Sequence, residues 1–296
     1  TAFGGIYYSE QMAQSGVLDS SFHVVFMEIV KWIYTFHMPV FIALSGILFA
    51  IELDHGRYSN IRELLLVKWK RIGIPLIVVW FLYNVPIKVI TGYYEGVSLG
   101  GIVLQFFFSK NVYLWFLQTL LFSFIICYTL IRLLPQKDNM QFGTLVILCA
   151  IGFMAAKKMK LYIPLGNPLQ YSIWLWIGMK HSTIEDWMQK RRLWNAPVMI
   201  GLVVVHVGLF VLHRTGHIPL YSHMKISVYP LIMFVVMLYG SKMVAQKVET
   251  DRHKANLIQK LSSYSFGIYL YSDPVNYIIL FVMWCLVGAT GFGSEL

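Results

Sequence analysis

Residues 33–51 read IYTFHMPVFIALSGILFAI, a run without a single Asp, Glu, Lys or Arg. As an α-helix rising 1.5 Å per residue it would be about 28 Å long, close to the ~30 Å hydrocarbon core of a bilayer. Comparable apolar runs recur at 72–90, 112–133, 142–156, 161–179, 196–213, 226–243 and 264–288. The pattern predicts an all-α integral membrane protein, a bundle of about eight transmembrane helices. The stretch 100–109 is apolar but too short to cross, and reads as a re-entrant or interfacial piece.

Composition agrees with that reading. Hydrophobic residues make up 57% of the chain and charged ones 13%, where a soluble domain carries about 25% charge. So little polar surface cannot cover a soluble globule of this length, so part of the solvent is membrane lipid. Aromatics reach 16%, enough for belts of Trp and Tyr at the two interfaces. The net charge of +10 would suggest nucleic acid in a soluble protein. Here the basic residues lie between apolar runs, which the positive-inside rule explains with no nucleic acid involved.

Counting Lys and Arg in alternate loops sets the orientation. The loops 52–71, 132–141, 180–195 and 242–260 hold sixteen, and the opposite set holds six. The first set is therefore expected on the cytoplasmic side of a multi-pass cell membrane, prokaryotic inner or plasma membrane being the expected one. Both ends of the chain would then lie outside. An outer amino terminus without a preceding helix is awkward to make. The expectation is a single transmembrane domain over 1–296, part of a longer protein of ten helices that adds one at each end.

Several stretches could carry chemistry. In TFHMPVFIALSG, at 35–46, His37 lies about a turn below the outer surface, and Pro39 frees a carbonyl beside it. An ionisable residue in a membrane is a functional candidate, and an interfacial hydrogen-bonded packing residue is an equal reading. Ser45 and Gly46 would allow close helix approach. Glu28 and Lys31 read as a solvated i, i+3 pair. In VKWKRIGIP, at 67–75, Lys68, Lys70 and Arg71 cluster at the cytoplasmic mouth of a span that Pro75 is expected to break. Anchoring to anionic lipid explains them most simply, and a grip on phosphates is the functional alternative. Tyr113 and Trp115 begin another span as belt aromatics. Asp273 sits with Pro274 inside the last one, where a carboxylate is costly and a polar cavity is expected to receive it.

Other chemistries find no support. His206 and His213 share a helix face at i, i+7 and His217 and His223 fall in a loop, without compact metal-ligand spacing, so no metal is expected. Cys127, Cys149 and Cys285 all lie in apolar runs and read as inert packing residues. No phosphate-binding glycine loop, HExxH or GxSxG is present.

Four stretches in order, FHMPVFIALSG at 36–46, KWKRIGIP at 68–75, YLWFLQTLLF at 113–122 and YSFGIYLYSDP at 264–274, resemble acyltransferase family three, the membrane-bound carbohydrate O-acyltransferases of the fucose-4-O-acetylase kind. The resemblance implies acyl-CoA, as acetyl-CoA or succinyl-CoA, bound from the cytoplasm by Lys68, Lys70 and Arg71. It implies a carbohydrate acceptor on the other side, either a polysaccharide or a lipid-linked sugar, near Tyr113, Trp115 and Asp273. His37 would support the reaction there, since the usual catalytic histidine of the family lies on a helix before this chain begins. A polysaccharide synthase or export complex is the macromolecular partner implied. Where the family often has a histidine after its IYL motif, this sequence has Tyr271, Ser272 and Asp273. A polysaccharide or lipid-linked sugar exporter, and a non-catalytic synthase subunit, are the rival readings.

Overall fold

In a computed structural model of the chain, the described residues are 21–90, 94, 96–108, 114–158, 166–217, 227–248 and 252–287. All the regular structure among them is helical. The helices are α1 (Ser21–Ile33), α2 (His37–Asp54), α3 (Ile61–Ile90), α4 (Leu99–Phe108), α5 (Trp115–Leu133) and α6 (Asp138–Lys158). There follow α7 (Asn167–Met179), α8 (His181–Lys190), α9 (Ala196–Arg214), α10 (Val228–Val248) and α11 (Arg252–Val287). Six segments among the described residues are long and apolar enough to cross a membrane: α1 with α2, α3, α5, α6, α9 and α10. The expected run 161–179 is described only in its second part, as α7. Outward faces carry large apolar side chains, such as Leu82 (68% exposed) on α3 and Val204 (64% exposed) on α9. Faces of this kind are stable only against lipid.

Helix α7 is the hub, packing on α2, α5 and α6, while α10 joins α9 to α2 and α11 lies along α3 and α10. At the α2–α7 crossing Gly46 faces the Leu175 carbonyl and Gly178 faces the Ala43 carbonyl, backbone on backbone. Small residues are what permits this approach, since helices in lipid associate by close van der Waals contact. Gly46 fulfils the expectation. The Ser45 hydroxyl donates to the Phe41 carbonyl of its own helix.

Pro75 acts differently from the sequence expectation. Pro75 and Pro86 do not break α3, which runs unbroken from Ile61 to Ile90. It widens instead into π-turns at Trp69–Gly73 and Trp80–Asn84, closed by Ile74 N–H to Trp69 O and Val85 N–H to Trp80 O. Each wide turn immediately precedes a proline. The ring would collide with the carbonyl four residues back, and the extra residue per turn moves that carbonyl aside. A break does fall just before Pro39, in residues 34–36 between α1 and α2. Pro39 then occupies the first turn of α2, where a missing N–H costs nothing. Helix α11 likewise continues through Pro274 and begins as early as Arg252, so Lys254 and Lys260 are helical rather than in a loop.

All four basic loops gather at one end of the bundle. Arg132 donates to the Tyr58 carbonyl at 3.1 Å, and Lys180 meets Asp138 at 2.7 Å. Lys242 pairs with Glu185 of α8. These contacts join loop one to two, two to three and three to four. At the far end Arg214 of α9 grips both Glu28 oxygens, at 2.7 and 2.8 Å, so Glu28 ties two helices besides pairing with Lys31.

Candidate functional site

At the basic end, α2 finishes at Asp54 and a six-residue loop turns the chain into α3. Asn60 caps α3 by accepting from Glu63 N–H at 3.0 Å, and Glu63 reaches back to Ser59 N–H at 2.8 Å. This reciprocal cap fixes the entry angle of α3. It folds residue 68 back onto residue 52. Lys68 Nζ donates to Glu52 Oε2 at 2.6 Å, and the Tyr58 hydroxyl donates to the same oxygen at 2.6 Å. Glu52 Oε1 lies 2.9 Å from Arg57 Nη1 and 3.5 Å from Arg71 Nη1. Burial and the neighbouring carboxylate push the Tyr58 phenol well above its ordinary pKa, so it stays a hydrogen-bond donor.

The cations divide into two kinds. Lys68 is buried, with its ammonium 4.2 Å from the Phe124 ring centroid and 5.2 Å from that of Phe49. Aromatic faces and one carboxylate make a low-polarity seat in which the charge is still satisfied. Arg57 and Arg71 are 50% and 65% exposed, and Lys70 is exposed beside them. Of the three residues singled out in KWKR, the structure turns Lys68 inward and presents Lys70 and Arg71 outward.

The other end of α2 carries His37, half-buried, with its ring 4.5 Å from that of Tyr34. Its Nδ1 lies 3.2 Å from the Ile33 carbonyl. A carbonyl only accepts, so this hydrogen bond requires the proton on Nδ1 and makes Nε2 the basic nitrogen. One turn further on, Phe41 stacks edge-on with Phe116 at 6.5 Å, and Phe116 meets Tyr269 of α11 at 5.6 Å. Trp115, the first residue of α5, packs against Tyr171 of α7 at 5.6 Å. Tyr271 meets Tyr83 of α3 at 5.3 Å. Thus three of the four motif stretches, 36–46, 113–122 and 264–274, meet through Phe41, Phe116 and Tyr269, while 68–75 lies at the basic end with Glu52.

A family model described as an acyltransferase domain matches residues 8–293, nearly the whole chain. The chain belongs to acyltransferase family 3. No curated protein and no solved structure matches it. With multiple apolar helices and this family match, it is a multi-pass membrane acyltransferase.

The remaining candidates of this acyltransferase are placed as follows. Tyr113 lies outside the described residues. Asp273 has its backbone in α11, and its side chain lies outside the description. No group of three His, Cys, Asp or Glu suited to a metal occurs among the described residues. Glu52 and Tyr58, central to the basic cluster, were not singled out in the sequence. A glutamate sixteen residues before a lysine has no helical relation to it, and only the turn at 55–60 joins them.

His206 is one of the four histidines whose spacing does not suit a metal. The structure makes it a fully buried junction. Trp32 Nε1–H donates to its Nδ1 at 3.0 Å. Its Nε2 lies 3.3 Å from Thr35 Oγ1, whose hydroxyl donates to the Trp32 carbonyl at 2.6 Å. Both ring nitrogens are therefore engaged at the break before His37, by Trp32 just ahead of it and Thr35 within it, and the rings of Phe36 and Tyr229 close around the imidazole. His206→Ala is expected to destabilise the protein by about 2–4 kcal/mol, through a cavity and a stranded indole N–H. Thermal unfolding in detergent measures this, and an unchanged midpoint would disprove the junction.

Proposed function

We propose that this acyltransferase moves an acyl group, acetyl or succinyl, from acyl-CoA on the basic, cytoplasmic face to a hydroxyl of a carbohydrate on the other face. The acceptor is a polysaccharide or a lipid-linked sugar, and the membrane is a prokaryotic plasma or inner membrane. A polysaccharide synthase or export complex is the fitting partner. The observation that carries the proposal is the placement of two unlike sites at the two ends of one helix. Exposed guanidiniums gather at the Glu52 end of α2, and a histidine with a basic Nε2 starts it. Fifteen residues of helix separate them, about 22 Å.

The donor set suits phosphate. Arg57 and Arg71 offer planar forks, Lys70 a mobile ammonium, and Arg132 a further charge on the Tyr58 carbonyl. Acyl-CoA supplies an activated thioester carbonyl at the end of a long flexible arm. His37 Nε2 accepts a hydrogen bond from the acceptor hydroxyl and so sharpens its oxygen for attack. Trp115 and Tyr171 form an aromatic wall at the same end, a surface on which a sugar ring can stack. As the C–O bond forms and the C–S bond breaks, the hydroxyl proton ends on the departing CoA sulfur. Metal has no role in this scheme.

The deciding experiment is transfer across a sealed bilayer. Full-length protein in proteoliposomes, given acyl-CoA on the basic side and acceptor on the other, is expected to form acylated carbohydrate. Absence of both transfer and CoA binding over several donors would overturn the proposal. Arg71→Ala should weaken CoA binding about tenfold and flatten its salt dependence. Because Arg71 is largely exposed, folding should be unaffected. Unchanged affinity would remove Arg71 from the site.

A further inference from the structure

The basic cluster holds more positive charge than its one carboxylate can balance. Glu52 supplies −1 and Lys68, Arg57 and Arg71 supply +3, a net +2, and Arg132 adjoins through the Tyr58 carbonyl. The two Glu52 oxygens have different partners. Oε2 takes Lys68 and Tyr58, both short and shielded. Oε1 takes the guanidiniums of Arg57 and Arg71, both half or more exposed, and the Arg71 contact at 3.5 Å is an ion pair without a close hydrogen bond.

We propose that Glu52 is an internal stand-in anion, whose Oε1 holds Arg57 and Arg71 and yields them to an incoming phosphate or diphosphate. The proposal deepens the reading of this cluster as the donor's phosphate grip and rests on it. An arginine side chain that is mostly in water gains little from one shared carboxylate oxygen, because solvent screens the pair. A diphosphate brings more charge and enough oxygens for bidentate contact with both forks. Lys68 and Tyr58 stay on Oε2 throughout, so Glu52 keeps its own charge compensated when the arginines leave. The exchange needs only rotation of two exposed side chains. Glu52 thereby keeps the guanidiniums together before a phosphate binds and sets an affinity weak enough for CoA to leave after the acyl group is gone.

The same chemistry fits a soluble diphosphate and a lipid headgroup phosphate, and the test separates them. The measurements are binding of inorganic pyrophosphate and of CoA to the full-length protein in phosphatidylcholine nanodiscs, repeated in discs containing phosphatidylglycerol. Glu52→Gln removes the competing charge and is expected to bind pyrophosphate about fivefold more tightly, the worth of one half-exposed ion pair. Because that variant strands the Lys68 ammonium and can fail to fold, the double variant Glu52→Gln with Lys68→Met is measured beside it. It removes the pair together, which buried pairs tolerate better than loss of one partner. It also keeps the cluster at net +2, so tighter binding in it reports release of the arginines rather than a change of long-range field.

Tighter pyrophosphate binding in the folded variants supports the stand-in. Equal or weaker binding in the double variant overturns it and leaves Glu52 and Lys68 as a structural pair. CoA binding by the wild type with no gain in either variant would refute the stand-in while leaving the donor grip intact. A gain for pyrophosphate with no CoA binding would support the stand-in and refute the donor. In that case, loss of pyrophosphate binding on adding phosphatidylglycerol identifies the lipid headgroup as the occupant.

Discussion

Gly178→Ala is expected to leave little or no folded protein. A Cβ at this position would lie against the carbonyl oxygen, carbonyl carbon and Cα of Ala43, all backbone atoms of α2. A flexible side chain could swing away from such a methyl, but a helix backbone cannot. Gly46, on the other side of the crossing, meets the Leu175 carbonyl in the same manner. Relieving either overlap means moving α2 away from α7, and α7 is also the seat of α5 and α6. Overpacking within a core costs about 1–3 kcal/mol when side chains can adjust. With backbone on both sides the loss should reach the upper end or more. Gly208→Ala on α9 is the control, since its Cβ would meet nothing within contact distance. Size-exclusion profiles and thermal midpoints in detergent should show Gly208→Ala behaving like wild type and Gly178→Ala aggregating. A Gly178→Ala protein as stable as wild type would show that α2 and α7 do not cross at this distance.

That crossing marks how far the chain could be read without coordinates. Apolar runs and the imbalance of basic residues are properties of composition along one axis. The helices and the gathering of four basic loops at one end follow from them. Gly46 was visible because a small residue inside an apolar span has few other uses. Its counterpart Gly178 was not, since neither residue shows which helix the other belongs to. Pro75 misled for a local reason. A proline removes an N–H and crowds a carbonyl, but whether the helix breaks or widens depends on neighbours that hold it in line. Trp69 supplies one such brace, its ring lying against Gly73 inside the first π-turn. Burial was the other hidden quantity. KWKR presents three cations that look alike in sequence, and one of them points into a cage of Phe49, Tyr58 and Phe124 from three elements. His206 is hidden in the same way, because its partners Trp32 and Thr35 lie some 170 residues away.

His37→Ala should lower the rate of acyl transfer about 10- to 100-fold while leaving CoA binding unchanged. The magnitude is that of one hydrogen bond to a group that becomes charged as the reaction proceeds, about 1.5–3 kcal/mol. The two readouts separate because the histidine and the arginines sit at opposite ends of α2, so losing one leaves the other's surroundings intact. Stability should change little, since the ring is half-exposed and its Nδ1 contact to Ile33 is local to the break. His37→Gln then distinguishes two roles. Glutamine can accept a hydrogen bond from a sugar hydroxyl but cannot hold its proton. Recovery of most of the rate with Gln would mean that His37 orients the acceptor. A rate as low as that of the Ala variant would mean that it takes the proton. A wild-type rate in His37→Ala would exclude both roles and leave the residue a cap on the break, with acceptor activation assigned to another group. The His206 junction offers an independent check on this logic. Because His206 binds Trp32 just ahead of the break and Thr35 within it, a mild substitution such as His206→Gln should disturb the position of His37 and slow transfer at unchanged CoA affinity. In a protein already carrying His37→Ala it should add little, since the group it positions is gone.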